Sequence, residues 1–436
     1  MLRSKATALG KFAATARTYA SATTSVAPTV LSTANGIKVA AIEGPADSPL
    51  ASVSLVINHG SRFETAQTSG AAHYLKAFGF RNTQERTSFR TVREAELNGA
   101  TLSAEATRET ITYTVQCFRD ALPYFVDILG DIAAATKFSE HEFRDIQRLV
   151  KFESLGAREN PVARVIDGVH QAAFRSGLGN SLYALDSSPV VTGDAVRQYA
   201  RDAVQPRKVA VVATGVDAVT LAALVAESKL AALTDDATTV VDSVKAKYTG
   251  GVHQIYESAA PVSHYALAFA SDAASAPVLA SLLGAQRRLK WGAGGAGPLA
   301  KLAFSEGFSV ESFSFAYSDA ALVGVLVSAP STLIKTAVEK VATIVQSDVA
   351  KASSESVMRA VAATRLDAAD AQDTQSGVIR ELSKLALGLG PMYTMETVDS
   401  VGAGLATTAA NVFGAKPVAA SIGLSQTTAY VDTLGF

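Results

Sequence analysis

Apolar and polar positions recur with a period near two over Gly36 to Ile42 and Leu50 to Asn58, which predicts two strands. A helix is expected over Gly70 to Phe78 and another over Phe89 to Asn98, stopped by Gly99, because glycine best tolerates the left-handed turn after a helix. Thr101 to Thr107 and Thr110 to Cys117 read as a strand pair joined around Arg108-Glu109. Helices follow near Ala121 to Thr136 and from Ser139, the second opened by a capping box, Ser139-x-x-Glu142. Arg207 to Thr214 closes this part as a strand. The order then repeats. Tyr265 to Ala270 is a strand, Ala276 to Arg287 a helix, and Phe308 to Phe315 and Ala321 to Val327 are paired strands meeting around Ser318-Asp319. Helices near Thr332 to Val345 and Ser354 to Ala369 lead to a last strand, Lys416 to Leu424. Pro206 and Pro417 punctuate the two closing strands alike.

Such a repeat is an internal duplication of about 200 residues. Antiparallel pairs with runs of helices give each half an α+β fold, an antiparallel-rich sheet covered by helices. Thr234 to Gly251, with Asp235-Asp236 at one end and Gly250-Gly251 at the other, is the expected linker between residues 29–233 and 252–436. Residues 1–28 carry Arg3, Lys5, Lys11 and Arg17, no acid, and much Ala, Ser and Thr, the composition of a mitochondrial presequence cut near Tyr19 to Ser21. The basic residues interrupt any apolar core that a secretory signal would need.

Over 436 residues, 39 Lys and Arg face 40 Asp and Glu, so no basic field exists to hold nucleic acid, and none is expected as a partner. With 48% hydrophobic and 18% charged residues the chain is too apolar to be disordered. The longest apolar run, Ala121 to Ala135, is broken by Asp127 and Asp131, so no membrane span is expected and the apolar residues belong in cores or against other subunits. Cys117 stands alone, which excludes an intrachain disulfide and a multi-cysteine metal site and leaves a small buried apolar residue.

Three segments invite a chemical reading. Gly292, Gly294, Gly295 and Gly297 form a glycine-rich loop, but a dinucleotide fingerprint needs a strand before it, whereas Ala285 to Trp291 reads as a basic helical continuation. His141 lies between Glu140 and Glu142, yet Asp145 stands where a His-Glu-x-x-His zinc helix needs its second histidine, leaving a solvated helix start. In the inverted motif His-x-x-Glu-His, His73 fits the first position while Lys76 and Ala77 replace the base and the second ligand. Glu153 shares a helical face with Phe143, Ile146 and Val150, where a carboxylate is costly unless paired. Lys76 is therefore expected to neutralise it, and Lys76→Met to destabilise the fold markedly. Two protein ligands do not hold zinc; His59 and His170 are the remaining candidates to add one, and His253 and His264 read as ordinary.

Asn58-His59-Gly60-Ser61-Arg62-Phe63-Glu64-Thr65, followed by Gly70-Ala71-Ala72-His73-Tyr74-Leu75, resembles the Gly-Ser-Arg-x-Glu…Gly-x-x-His-x-Leu-Glu-His region of the pitrilysin-type inverted zincins, the family of the mitochondrial processing peptidase. The resemblance extends over essentially all of the chain after residue 28. It matches His73 and Glu153 to zinc ligands, whereas Lys76, Ala77 and Asn160 depart from the base, the second histidine and a further acid. It therefore implies no catalytic residue, no bound metal and no other cofactor. Within the family, Phe308 to Asp319 and Tyr430 to Leu434 are similar to the core subunits of the respiratory ubiquinol-cytochrome c reductase, complex III. That implies a structural subunit, peripheral on the matrix side of the mitochondrial inner membrane. Its partners would be core protein 1, cytochrome b, cytochrome c1, the iron-sulfur protein and small subunits of a dimeric complex. The alternative is the non-catalytic α subunit of the processing peptidase, in which a glycine-rich loop, longer than Gly292 to Gly297, handles presequences.

Overall fold

In the first part of the chain come β1 (Thr29–Ser32), β2 (Lys38–Ile42), β3 (Leu50–Ile57), α1 (Ala71–Ala77), α2 (Ser88–Leu97), β4 (Thr101–Ala106) and β5 (Ile111–Phe118). They are followed by α3 (Leu122–Ala135), α4 (Glu140–Glu159), α5 (Pro161–Phe174), α6 (Gly193–Ala203), β6 (Val209–Thr214) and α7 (Ala218–Glu227). The second part holds β7 (Val252–Tyr256), β8 (Val262–Ser271), α8 (Ala276–Leu283), α9 (Pro298–Glu306), β9 (Ser309–Ala316), β10 (Ala321–Pro330) and α10 (Ile334–Ile344). It ends with α11 (Ser354–Asp373), α12 (Gln375–Leu387), α13 (Met395–Gly402), α14 (Leu405–Phe413) and β11 (Val418–Gly423). This computed structural model describes residues 28–44, 48–184, 191–235, 245–257, 260–286 and 297–436. The presequence up to residue 27, the middle of the expected linker and Gly292, Gly294 and Gly295 lie outside them.

The strands form two sheets, in the orders β1-β2-β6-β3-β5-β4 and β7-β11-β8-β10-β9. Without β1 the two orders are the same, and the pairing agrees: β2 with β6 and β7 with β11 are parallel, the other neighbours antiparallel. The α+β fold with two like halves read from the pattern is the one observed. Edge strands β1 and β7 were not expected; both are short and mostly open to solvent, so neither carries a sharp hydrophobic alternation.

Helices cover the sheets as expected, and part of the cover comes from the opposite half. All six residues of β6 and all six of β11 are buried. Val209, Val211 and Ala213 face the core beneath α1, α3 and α7, whereas Ala210 and Val212 meet Ile379, Leu382 and Ala386 of α12, which comes from the other half. Reciprocally, Val165, Val169 and Ala173 of α5 pack on Ala266, Ala268, Val418 and Ala420 of the second sheet. The two halves thus exchange a helix, and the central strands β6 and β11 are buried on both faces. The approach of α5 is close: a Cβ on Gly168 would come 2.8 Å from the His253 ring.

Three further expectations are corrected. Helices α5 to α7, α9 and α12 to α14 were not read from the pattern. The capping box does not form: Ser139 precedes α4, but its hydroxyl donates to Glu142 Oε2 at 2.5 Å, and Glu142 Oε1 takes the Asn82 N–H at 2.9 Å. Glu142 is accordingly buried, not solvated. Finally, α8 stops at Leu283 because Gly284 turns left-handed at φ 66°, so Ala285 and Gln286 do not continue it.

Candidate functional site

Helix α1 is seven residues long and almost wholly buried, with Ala71, Ala72 and Leu75 in the core of the first half and Tyr74 and Ala77 against Phe143, Ile146 and Val150 of α4. Packing on both sides fixes the helix, and with it the position of His73, which is 2% exposed. His73 Nε2 lies 2.6 Å from Glu153 Oε2, and His73 Nδ1 accepts the Ala184 N–H at 3.3 Å. This network assigns the ring proton to Nε2, which donates to the carboxylate. Lys76 Nζ donates to the same Glu153 oxygen at 2.7 Å, so the expected ion pair is present. Burial holds His73 below its ordinary pKa despite the bond to Glu153. At Glu153 burial pushes the other way, but the bonds from Lys76 and His73 prevail and hold the carboxyl low. A neutral imidazole on an ionised carboxylate is the consistent state.

That donor set does not fit zinc. Ala77 offers only a methyl group to an apolar cluster, and the Glu153 oxygen that a metal would need is occupied by an ammonium and an imidazole N–H. Asn160, where the resemblance leads one to look for a further acid, instead ends α4 and caps α5, accepting the N–H groups of Val162 and Ala163. His59 is buried against Phe63 and Tyr199, and burial, then the nearby Lys208 charge, lower its pKa to about 3. His170 is wholly buried, with Nδ1 2.8 Å from Ile166 O and Nε2 2.8 Å from Tyr317 Oη. Neither histidine contacts His73 or Glu153 through these bonds. His253 lies on the edge strand β7, and His264 bonds Ser328 Oγ at 2.7 Å. Cys117 is buried, and burial pushes its thiol up to about 11.

The segment before α1 works between the halves. Gly60 lies so close to the turn joining β4 and β5 that a Cβ there would come 2.4 Å from Thr107 O. Arg62 follows it inward, 2.8 Å from Glu109 and 2.6 Å from Asp319, the latter at the matching turn between β9 and β10. Ser318 Oγ donates to Glu109 at 2.6 Å, and Arg108 pairs with Asp167 of α5 at 2.7 Å. The hairpin tips of both halves therefore meet on buried charge. This network was missed at the sequence level, although the polar doublets Arg108-Glu109 and Ser318-Asp319 at equivalent turns were its signal. Glu64 completes the segment by accepting the N–H groups of Gly70 and Ala72 at the start of α1, and burial raises its pKa to about 7. Of the glycine loop, Gly297 precedes α9 and abuts Gly284, where a Cβ would come 2.1 Å from a backbone oxygen.

Among the described residues no helix is long and apolar enough to cross a membrane. Residues 39–185 match the insulinase family, peptidase family M16. The chain is 33% identical to the mitochondrial cytochrome b-c1 complex subunit 2 of Cryptococcus neoformans over 92% of its own length and 93% of the relative's. The protein of that name from Yarrowia lipolytica is 31% identical over 92% and 95%, and the human one 29% identical over 92% and 90%.

Proposed function

The chain belongs to the family of mitochondrial cytochrome b-c1 complex subunit 2 proteins, and from that membership we propose that it is a structural subunit of respiratory complex III. In this reading it is a peptidase-like scaffold that performs no hydrolysis. It sits peripherally on the matrix side of the inner membrane and pairs with core protein 1 in the dimeric complex beside cytochrome b, cytochrome c1 and the iron-sulfur protein. Residues 29–233 and 252–436 serve as its two halves, joined by 234–251 and preceded by a presequence. The observation that carries the non-catalytic part is the Glu153 carboxylate bound to both His73 and Lys76, with Ala77 opposite no ligand. The relatives' shared name favours this over a processing-peptidase α subunit.

The test is the native assembly. Mitochondrial inner membranes solubilised in mild detergent are separated by size, and the partners of this chain are identified. Comigration with cytochromes b and c1 in a large haem-containing complex is expected. Recovery in a small heterodimer with a zinc-bearing partner would overturn the proposal.

A further inference from the structure

Helix α5 ends in a strained turn. Its C-cap, Arg175, sits at φ 60° and ψ -50°, and across it the Ser176 N–H donates to Phe174 O at 2.7 Å. This is the rare, crowded form of γ-turn. Phe174 anchors it, buried with Val165 and Val169 and set edge-on to the Tyr248 ring. A left-handed arginine costs stability that glycine would not, and such strain gathers where a side chain is needed at one place. Here that place is the rim of a cavity of about 170 Å³ between the end of α5 and the start of β7, lined also by Gln171, Gly250, Gly251 and His253.

The groups around this cavity are mostly donors. Among the described residues neither the Arg175 guanidinium nor the His253 ring has a side-chain hydrogen bond or ion pair. The ring is held in place by its contact with α5 at Gly168. Gly250 and Gly251 take φ of 70° and 146°, and among the described residues their N–H groups make no backbone hydrogen bond. The carbonyls at the end of α5 that would repel an anion are covered by Thr249. Its N–H donates to Ala173 O at 2.8 Å, and its hydroxyl lies 3.4 and 3.1 Å from Ala172 O and Ala173 O. No carboxylate lines the cavity among the described residues.

One side-chain acceptor is present as well. Gln171 Nε2 donates to Asp167 Oδ2 at 3.0 Å, which leaves Oε1 for the cavity. An oxyanion supplies acceptors to all the donors, and a guanidinium binds one through two N–H groups at once. Inorganic phosphate at neutral pH also keeps a proton for Gln171 Oε1, which sulfate and an ionised phosphate ester lack. The volume is well below the roughly 300 Å³ at which pockets for small organic molecules begin, and suits an ion.

We propose that the cavity between α5 and β7 is a receptor for one inorganic phosphate ion, held by Arg175, His253 and the Gly250-Gly251 backbone, with Gln171 accepting its proton. This goes beyond the role in complex III and does not depend on it.

Isothermal titration of the full chain with sodium phosphate, sodium sulfate and glycerol 3-phosphate, at neutral pH and fixed ionic strength, tests the assignment. Phosphate is expected to bind saturably and about tenfold or more tighter than either of the others. Arg175→Gly should abolish that binding without lowering the unfolding midpoint, because glycine relieves the left-handed strain. His253→Phe keeps a ring against Gly168 but removes its N–H, and should weaken phosphate about tenfold. Should His253→Phe fail to fold, Arg175→Gly decides the matter. No saturable binding, sulfate or glycerol 3-phosphate binding as tightly as phosphate, or phosphate binding that survives Arg175→Gly overturns the proposal.

Discussion

At the junction of α1 with α4, a histidine, a lysine and a glutamate close on one another through a single carboxylate oxygen. At the junction of α8 with α11, Pro277, Ala280 and Ser281 repeat the spacing of His73, Lys76 and Ala77, and Asp367, as far from Ser353 as Glu153 is from Ser139, borders a cavity with them. Backbone placement is shared, so what distinguishes the two junctions is side-chain volume and charge. The comparison teaches that a duplicated scaffold preserves positions but not chemistry: the first half closes on an ion pair, whereas the second leaves a cavity.

The same contrast runs through the exchanged helices. Gly168 on α5 and Leu382 on α12 occupy equivalent register positions, each facing the sheet of the opposite half. Leu382 is wholly buried with Ala40, Val56 and Val212, so Leu382→Ala should cost roughly 3–5 kcal/mol in urea unfolding. Gly168→Leu should be comparably harmful for the opposite reason, because the side chain would collide with His253 and Ala420. If either change were neutral, that helix would not be anchoring the halves to each other.

Next in size is the contact of the hairpin tips. Arg62→Met leaves Glu109 and Asp319 without their shared cation, and Glu109 is buried. A loss of roughly 3 kcal/mol is expected, with Arg62→Met/Glu109→Gln recovering part of it. A double variant no better than the single would show that the buried carboxylate is not the source of the cost.

These effects mark where the sequence could be read and where it could not. Strands β3, β5, β8 and β10 were legible because apolar runs and alternation reveal a strand whatever covers it. Helices α5 and α12 were not, since their apolar faces answer sheets in the other half and their sequences, with Gly168 and Gly377 among β-branched residues, are weak as isolated helices. At the site, Lys76 and Ala77 could be recognised as departures because a local motif fixes what should stand there. The pairing of Lys76 with Glu153 followed from helical spacing and burial cost. Arg62 with Asp319 could not be foreseen, because no local rule joins residues on different halves.

Glu64 gives a smaller and pH-dependent effect that separates the start of α1 from α8, which has no such buried carboxylate among its capping bonds. Its folded pKa is raised from 4.5 to about 7 by burial, so the folded state holds its proton more tightly than the unfolded chain. The associated stability is fully present below pH 4.5 and lost as pH rises through about 7. Glu64→Gln removes that dependence. The stability of the variant minus that of the parent should therefore rise by on the order of 2–3 kcal/mol between pH 4.5 and 8 in denaturant titrations. Parallel curves would remove Glu64 from the argument.

The smallest effect is expected where the sequence led to a large one. Lys76 and Glu153 side chains are 20% and 31% exposed, so their pair is partly screened by water, and Lys76→Met should cost about 1 kcal/mol or less in place of a marked loss. Because the pair holds the Glu153 pKa down, its contribution exists above the ordinary carboxylate value and vanishes as pH falls through the depressed folded value. The parent and Lys76→Met should thus converge in acid. Without the ammonium, His73 still donates to Glu153, so the junction stays closed but loses the charge that repels a divalent cation. The variant Lys76→Glu/Ala77→His then asks whether the scaffold can hold a metal: with His73 and Glu153 already in place, stoichiometric zinc by elemental analysis is expected of it and not of Lys76→Met. Zinc in both would mean that the ammonium alone had been excluding the ion; zinc in neither would mean that packing of Tyr74, Phe143 and Ile146 around position 77 has since closed the space a second imidazole requires.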